Sequence, residues 1–131
     1  MTITESSAAR AAGDGLDERQ VEGVFVLATR GTFHEFTARL LIDRIRAHIG
    51  DALIVDLRSV HQLSVDAGST VVSMLLAGRD HPEQCCVVVR GTDRAEVFGA
   101  RPPVATFMSV GDALQARALE QAGYGDGWVA H

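Results

Sequence analysis

Short apolar runs alternate along this chain with longer segments that have a helical period. The runs have the length of buried strands, and glycine, proline or polar residues bound them. They comprise Val24–Ala28, Ala52–Leu57, Cys85–Val89 and Val104–Met108. A helical segment after each strand is typical of an α/β fold, in which helices pack on a sheet. A length of 131 residues predicts one domain.

The segment Phe36–Ile49 has the clearest helical period. Its apolar stripe comprises Ala38, Leu41, Ile42, Ile45 and Ile49. Phe36 and Leu40 fall on the opposite side at about 100° per residue. Either these two residues mark a surface that binds a partner, or Phe36 precedes the helix and Leu40 is a single exposed leucine. Gly50 fits a helix C-cap position.

A second helix, Ala67–Ala77, is apolar on almost all sides and is expected to be buried against the sheet. The polar stretch Ser64–Thr70 connects it to the preceding strand. A helix N-terminus leaves N–H donors unpaired and presents the positive end of the helix dipole, so this loop is the first candidate for function. Asp66 has two interpretations: the N-cap of the helix, or a carboxylate at a docking surface.

Capping patterns and composition predict the rest of the organisation. Asp93 with Glu96, and Ser109 with Asp112, have capping-box spacing at the starts of two further helices. Residues 1–18 are small and polar and are expected to form a flexible tail, with the domain at 19–122. Residues 123–131 are expected to be a C-terminal tail, from which Trp128 can dock.

Composition excludes several classes of protein. A net charge of −5 argues against nucleic acid as the main partner. All twelve basic residues other than histidine are arginine, which excludes a Schiff-base or P-loop lysine. No apolar run approaches the roughly 18 residues that span a bilayer, and no signal peptide is evident, so a cytoplasmic location is expected. Cys85 and Cys86 are neighbours on a predicted strand and therefore point to opposite faces as reduced thiols.

Catalytic and metal-binding motifs are absent from the sequence. The five histidines have no ligand spacing, and no cofactor motif is present. A nucleophile–base pair could use Ser64 or Ser69 with His61 or His34, but no pattern selects such a pair. An enzyme is therefore the least favoured hypothesis.

Four stretches are similar to the STAS domain of anti-sigma factor antagonists and sulfate transporters. Val24–His34, followed by Thr37 and Ala38, resembles the opening V-V-L-x-G-E-L-D-x-x-T-A of that family. Ile54–Val60 is similar to its L-V-L-D-L-S-G-V strand, and Ser64–Thr70 occupies the place of its D-S-S-G-L-G loop. Val110-Gly111-Asp112-Ala113-Leu114 resembles the closing S-x-E-E-A-L helix.

The resemblance implies a mixed sheet of four to five strands with about four helices mainly on one face. It implies a regulatory module without cofactor or catalysis, whose partner is a kinase-like anti-sigma factor or a related regulatory protein. In that family, phosphorylation of a serine in the D-S-S loop breaks the complex, as expected when a doubly charged group enters a docking surface. The docking residues expected here are Thr32, His34, Phe36, Ser64, Val65, Asp66 and Ser69.

The sequence departs from the family at the phosphorylation loop. In a gapless alignment, Ser64 matches the motif Asp and Val65 matches the usual phosphoacceptor; one inserted residue puts Asp66 there, and only a deletion brings Ser64 there. His34 also stands where the family has the Asp of G-E-L-D. We expect the usual phosphoswitch to be lost or moved, and the remaining candidate acceptors are Ser64, Ser69 and Thr70.

An alternative keeps the fold but changes the function. The chain would then be a structural or sensory scaffold that self-associates, for example as a homodimer. Phe36, Leu40 and an exposed Trp128 would supply its contact surface.

Overall fold

The computed structural model describes residues 15–77, 82–99, 102–123 and 128, which form a five-stranded sheet and four helices. The strands are β1 Gly15–Val21, β2 Val24–Gly31, β3 Leu53–Val60, β4 Cys85–Val88 and β5 Ala105–Phe107. The helices are α1 Glu35–Ala47, α2 Val65–Leu76, α3 Gly91–Val97 and α4 Val110–Gly123. A short 3₁₀ turn, Pro82–Gln84, precedes β4.

The sheet is mixed and its strands follow chain order. β1 pairs antiparallel with β2, and β2, β3, β4 and β5 are parallel. Because each parallel strand lies beside the one before it, right-handed crossovers place α1, α2 and α3 on the same face. The last helix, α4, packs on the opposite face. The predicted mixed sheet with helices mainly on one face is therefore confirmed.

Two apolar clusters form the core, one on each face of the sheet. Leu53, Val55 and Leu57 of β3 belong to the cluster under α1 and α2, whereas Ile54 belongs to the cluster under α4. A strand covered on both faces must be apolar at nearly every position, as residues 53–57 are apart from Asp56. The two cysteines at the start of β4 also divide between the clusters, as predicted, and both are free and buried.

The first strand corrects the predicted N-terminal tail. Residues 15–18, expected to be flexible, belong to β1, and residues 1–14 lie outside the described residues. Four consecutive residues of β1 are exposed, so the strand has no apolar alternation by which it could be recognised. A tight turn at Glu22 and Gly23, both with positive φ, joins it to β2 as a type I′ hairpin.

Helix boundaries differ from the predicted ones, and the helix predicted over Phe36–Ile49 spans Glu35–Ala47. The helix predicted to begin at Ala67 begins at Val65. The capping box predicted at Asp93 and Glu96 is wrong, because α3 begins at Gly91 and has Arg90 as its N-cap.

One other predicted helix end agrees with the structure and one does not. Ser109 Oγ accepts a hydrogen bond of 3.0 Å from the N–H of Asp112, as its capping-box spacing predicts. The C-cap predicted at Gly50 is wrong, because His48 is the C-cap of α1 and Gly50, with a φ of +97°, lies two residues further along the chain.

Trp128 anchors the chain after α4. Its side chain is 2% exposed, its Nε1 donates to Ala113 O at 2.7 Å, and its N–H donates to Glu83 O at 2.6 Å. The prediction that an exposed Trp128 contributes to self-association is therefore wrong, because the indole is buried in the cluster under α4. Within the predicted tail 123–131, only Gly123 and Trp128 are among the described residues.

Gly68 allows α2 and α3 to approach each other closely. It is buried on α2, and a Cβ added to it would overlap Val97 Cγ1 and lie 3.5 Å from Phe98 Cζ. Gly111, in the first turn of α4, is exposed, and a Cβ there would come no nearer than 3.9 Å to Ser109 Oγ. A methyl group therefore fits at Gly111 but not at Gly68.

We expect Gly68→Ala to destabilise the fold by about 1–3 kcal/mol, because the new methyl group overpacks the α2–α3 contact. The matched control, Gly111→Ala, should be neutral or stabilise by up to about 1 kcal/mol through helix propensity. Urea unfolding followed by circular dichroism measures both. Equal effects of the two substitutions would contradict this account of Gly68.

A charged network joins β1 to α1. Glu18 accepts hydrogen bonds from Arg44 Nε and Nη2 at 2.6 and 3.0 Å, and its other contact is His48 Nε2 at 3.0 Å. The His48 ring stacks on Phe25 at a centroid distance of 4.0 Å, and its Nδ1 lies 3.1 Å from Asp51 Oδ2. The bond from Arg44, with a smaller one from His48, lowers the pKa of Glu18 against the opposing effect of burial.

Stability should therefore depend on pH through Glu18. A carboxyl group whose folded pKa is lowered stabilises the fold above its unfolded pKa, near 4.5, and loses this effect as pH falls through the folded value. We expect Glu18→Gln to cost at most about 1 kcal/mol at pH 7 and to lessen the acid-dependent loss of stability below pH 4.5. Thermal melts from pH 3 to 7 test this; the same change at exposed Glu22, which has no ion pair among the described residues, should leave the profile unchanged.

Candidate functional site

Two loops leave the carboxyl ends of neighbouring parallel strands. Residues 32–34 connect β2 to α1, and residues 61–64 connect β3 to α2. The strands end in register, with Gly31 opposite Val60, and His61 N–H donates to Gly31 O at 2.8 Å. Ligand sites in open α/β sheets commonly lie at this end of the strands. The structure thus brings the predicted residues of the two loops to one edge of the sheet.

The β2–α1 loop presents Phe36 to solvent. Thr37 is buried and its Oγ1 donates to Thr32 O at 3.1 Å, which holds the loop against the helix. His34 is the N-cap of α1 without a side-chain cap bond, and its ring centroid lies 6.3 Å from that of Phe36. Phe36 is 60% exposed in the first turn. The alternative that Phe36 precedes the helix is therefore wrong, and Leu40 is half-buried.

The β3–α2 loop presents Val65 and Asp66. Buried Leu63 anchors the loop in the core, and exposed Gln62 has a φ of +48°, so the chain turns sharply between β3 and α2. Ser64, not Asp66, is the N-cap, since its Oγ accepts from Ala67 N–H at 3.0 Å. Val65 is 56% exposed, and Asp66 is exposed in the first turn, where a carboxylate suits the positive end of the helix dipole.

The other hydroxyl groups of α2 differ in their surroundings. Thr70 Oγ1 donates to Asp66 O at 2.9 Å, within the helix. Ser69 is exposed and lines a groove of about 240 Å³ with Gly68, Val72, Ser73, Val97, Phe98 and Pro103. Ser69 therefore belongs to the α2–α3 groove, more than one turn beyond the Ser64 cap.

Two arginine residues form bonds at β3 that no sequence pattern predicts. Arg90 Nη2 donates to Val60 O at 2.8 Å, and its Nε donates to Asp93 Oδ2 at 3.0 Å. Arg58 forms a bidentate pair with buried Asp56 at 3.0 and 2.8 Å, and the bond from this carboxylate raises the pKa of Arg58. Only the folded chain shows that Arg90 fixes the carboxyl end of β3.

The arrangement does not assemble the nucleophile–base pair that the sequence allowed. In the part of the chain that the structure describes, Ser64 and Ser69 form no hydrogen bond with a histidine, and no three potential metal ligands cluster. No helix among these residues is long and apolar enough to cross a membrane. What the geometry offers is an exposed surface of two apolar side chains, an imidazole, a hydroxyl and a carboxylate, which suits contact with another protein.

Comparison with known proteins establishes the fold. The structure is similar to the crystal structure of an anti-sigma factor antagonist from Mycobacterium paratuberculosis, with a TM-score of 0.58 and 21% sequence identity. The similarity covers 79% of this chain and 93% of that chain. No protein-family model and no curated protein matches the sequence. The STAS-like fold predicted from the four sequence stretches is therefore confirmed.

Proposed function

We propose that this chain is a non-enzymatic regulatory module of the anti-sigma factor antagonist type, acting in the cytoplasm. Its docking surface consists of Thr32, His34, Phe36, Ser64, Val65, Asp66 and Ser69. Its partner is an anti-sigma factor, or a related regulatory protein, with an apolar patch and a cationic group facing this surface. The fold shared with a solved anti-sigma factor antagonist supports the class of partner.

One observation supports this proposal above the others. Phe36 and Val65 are large apolar side chains, and each is more than half exposed. They lie in the first turns of α1 and α2, directly after the β2–α1 and β3–α2 loops. The fold does not use these side chains, because Leu41 and Val71 provide the buried contacts of the same helices. Exposed apolar residues that a rigid scaffold holds at the carboxyl ends of its strands favour protein binding.

The usual phosphoswitch has no acceptor at Val65. Ser64 has a hydroxyl in the neighbouring position, but its Oγ is already the cap of α2. A phosphate on Ser64 would lie at the positive end of a helix dipole, so it is compatible with the fold and would act by adding charge beside Val65. We infer that regulation through Val65 is lost and that Ser64 and Ser69 are the candidates for a moved switch.

Docking should depend on the two exposed apolar residues and on the carboxylate. We expect Phe36→Ala and Val65→Asp each to weaken binding of a cognate anti-sigma factor by about tenfold or more, as truncation of a buried interface anchor does. Asp66→Arg should weaken it through charge repulsion. Pull-down against the anti-sigma factors of the same organism, then calorimetric titration of those that bind, measures these effects.

The control for these variants is Ile49→Ala. Ile49 is half exposed at the opposite end of α1, beyond the helix C-terminus, and its truncation should leave binding unchanged. If Ile49→Ala weakened binding as much as Phe36→Ala, the docking surface would be misplaced. If no anti-sigma factor bound the wild-type chain, the proposed function would fail.

Capping and phosphorylation at Ser64 can be separated. Ser64→Ala should destabilise the protein by about 0.5–2 kcal/mol because it removes the N-cap, whereas Ser64→Asp should keep the cap. Incubation with a cognate kinase and ATP, followed by phosphosite mapping, should show no stoichiometric label on this loop. Stoichiometric label on Ser64 would show that the switch has moved there, and Ser64→Asp should then weaken partner binding although the fold remains stable.

A further inference from the structure

The strand β1 is at one end of the strand order of the sheet. It pairs with β2 on one side, and no strand among the described residues pairs with its other side. Val21 and Val24 flank the two-residue hairpin loop. In such a hairpin, the two flanking residues form a hydrogen-bonded pair. Hydrogen-bonded residues then alternate along β1, so outward N–H and C=O groups belong to Leu16, Glu18 and Gln20.

The exposed charges of this edge have a particular order. Asp17 and Arg19 share one face of the strand, opposite the face from which Glu18 contacts α1. Asp17 is 73% exposed and accepts a bond of 2.7 Å from Arg30. Arg19 is exposed and forms no ion pair with any described residue. Charges usually prevent edges from pairing, but a negative charge two residues before a positive one is self-complementary in an antiparallel pair.

Only one register uses this complementarity. Because outward backbone groups must face each other, two copies of β1 related by a two-fold axis are centred on a single residue. A register centred on Asp17 opposes two carboxylates, and one centred on Arg19 opposes two guanidinium groups. The register centred on Glu18 places Asp17 opposite Arg19 twice and aligns all seven residues of the strand.

The charge of Glu18 does not prevent pairing in the register centred on Glu18. In the register centred on it, the two Glu18 residues face each other, and an unpaired carboxylate there would repel its copy. Each Glu18 already accepts two hydrogen bonds from Arg44 and contacts His48, so its charge is balanced within its own chain. The network that joins β1 to α1 thus removes the main obstacle to pairing.

We propose that β1 is a homodimer interface, in which a second copy of this chain pairs antiparallel about Glu18. The pairing forms about six backbone hydrogen bonds and joins two five-stranded sheets into one. It uses none of the docking residues at the carboxyl edge, so failure of the dimer would not contradict the proposed function, and failure of the proposed function would not contradict the dimer. It also replaces the contact surface of Phe36, Leu40 and Trp128 that the sequence suggested for self-association.

Charge substitutions test the register. Arg19→Asp opposes two pairs of carboxylates and Asp17→Arg opposes two pairs of guanidinium groups, so each variant alone should dimerise about tenfold more weakly than wild type. An equimolar mixture of the two restores both opposite-charge pairs and should form the heterodimer. Arg46→Asp, the same change at an exposed position on α1, is the control and should leave the dimer unchanged.

Sedimentation equilibrium over a wide concentration range measures association, and two-dimensional NMR spectra verify that each variant is folded. Hydrogen exchange adds a measurement specific to the register: the amides of Leu16, Glu18 and Gln20 should gain protection as concentration rises, whereas those of Asp17 and Arg19 are protected already by β2.

Four results would overturn the proposal. The first is a wild-type chain that stays monomeric across the range, and the second is a dimer that Arg19→Asp does not weaken. The third is a mixture of folded Arg19→Asp and Asp17→Arg chains that fails to form the heterodimer. A series of larger assemblies would also contradict it, because an isologous contact closes at two copies.

Discussion

The parallel pairing of β2 with β3 is the constraint on which the other parts of this structure depend. Residues 53–57 of β3 are buried, with Leu53, Val55 and Leu57 in one cluster of the core and Ile54 in the other. A slip of one residue would exchange the two faces and move Asp56, together with its partner Arg58, into the layer under α1 and α2. A register shift of one residue between Ala28 and Arg30 then sets Gly31 opposite Val60, so the two candidate loops begin at one level of the sheet.

In the candidate site, the groups that hold the loops differ from the side chains that face solvent. Hydrogen bonds from His61, Thr37 and Arg90 fix the loops and strand ends. Phe36, Val65 and Asp66 are then held in defined positions although they contribute little to folding. Side chains held in this way can be substituted without loss of the scaffold, which agrees with a fold retained at 21% sequence identity.

The sequence predicts those elements that bury apolar side chains. β2 to β5 and the long helices are visible because core contacts require apolar residues at strand or helix periods. β1 cannot be recognised from the sequence, because backbone hydrogen bonds and charged contacts hold it and its exposed residues have no apolar period. The sequence allows Asp66 as the cap of α2, where the structure has Ser64, because both residue types cap helices and only backbone geometry decides between them. Trp128 could not be placed because its partners, Ala113 and Glu83, are apart in sequence.

The adjacent cysteines give this chain a pair of built-in reporters. Cys85 lies in the layer beneath α1 and α2, Cys86 lies in the layer beneath α4, and one peptide bond separates them. Burial, assisted by the neighbouring Cys85, raises the pKa of the Cys86 thiol, so it stays protonated and unreactive while its layer is closed. Each thiol becomes available to an alkylating reagent only when its own layer opens. The relative labelling of the two sulfur atoms therefore records which half of the core separates first, without the introduction of any foreign probe.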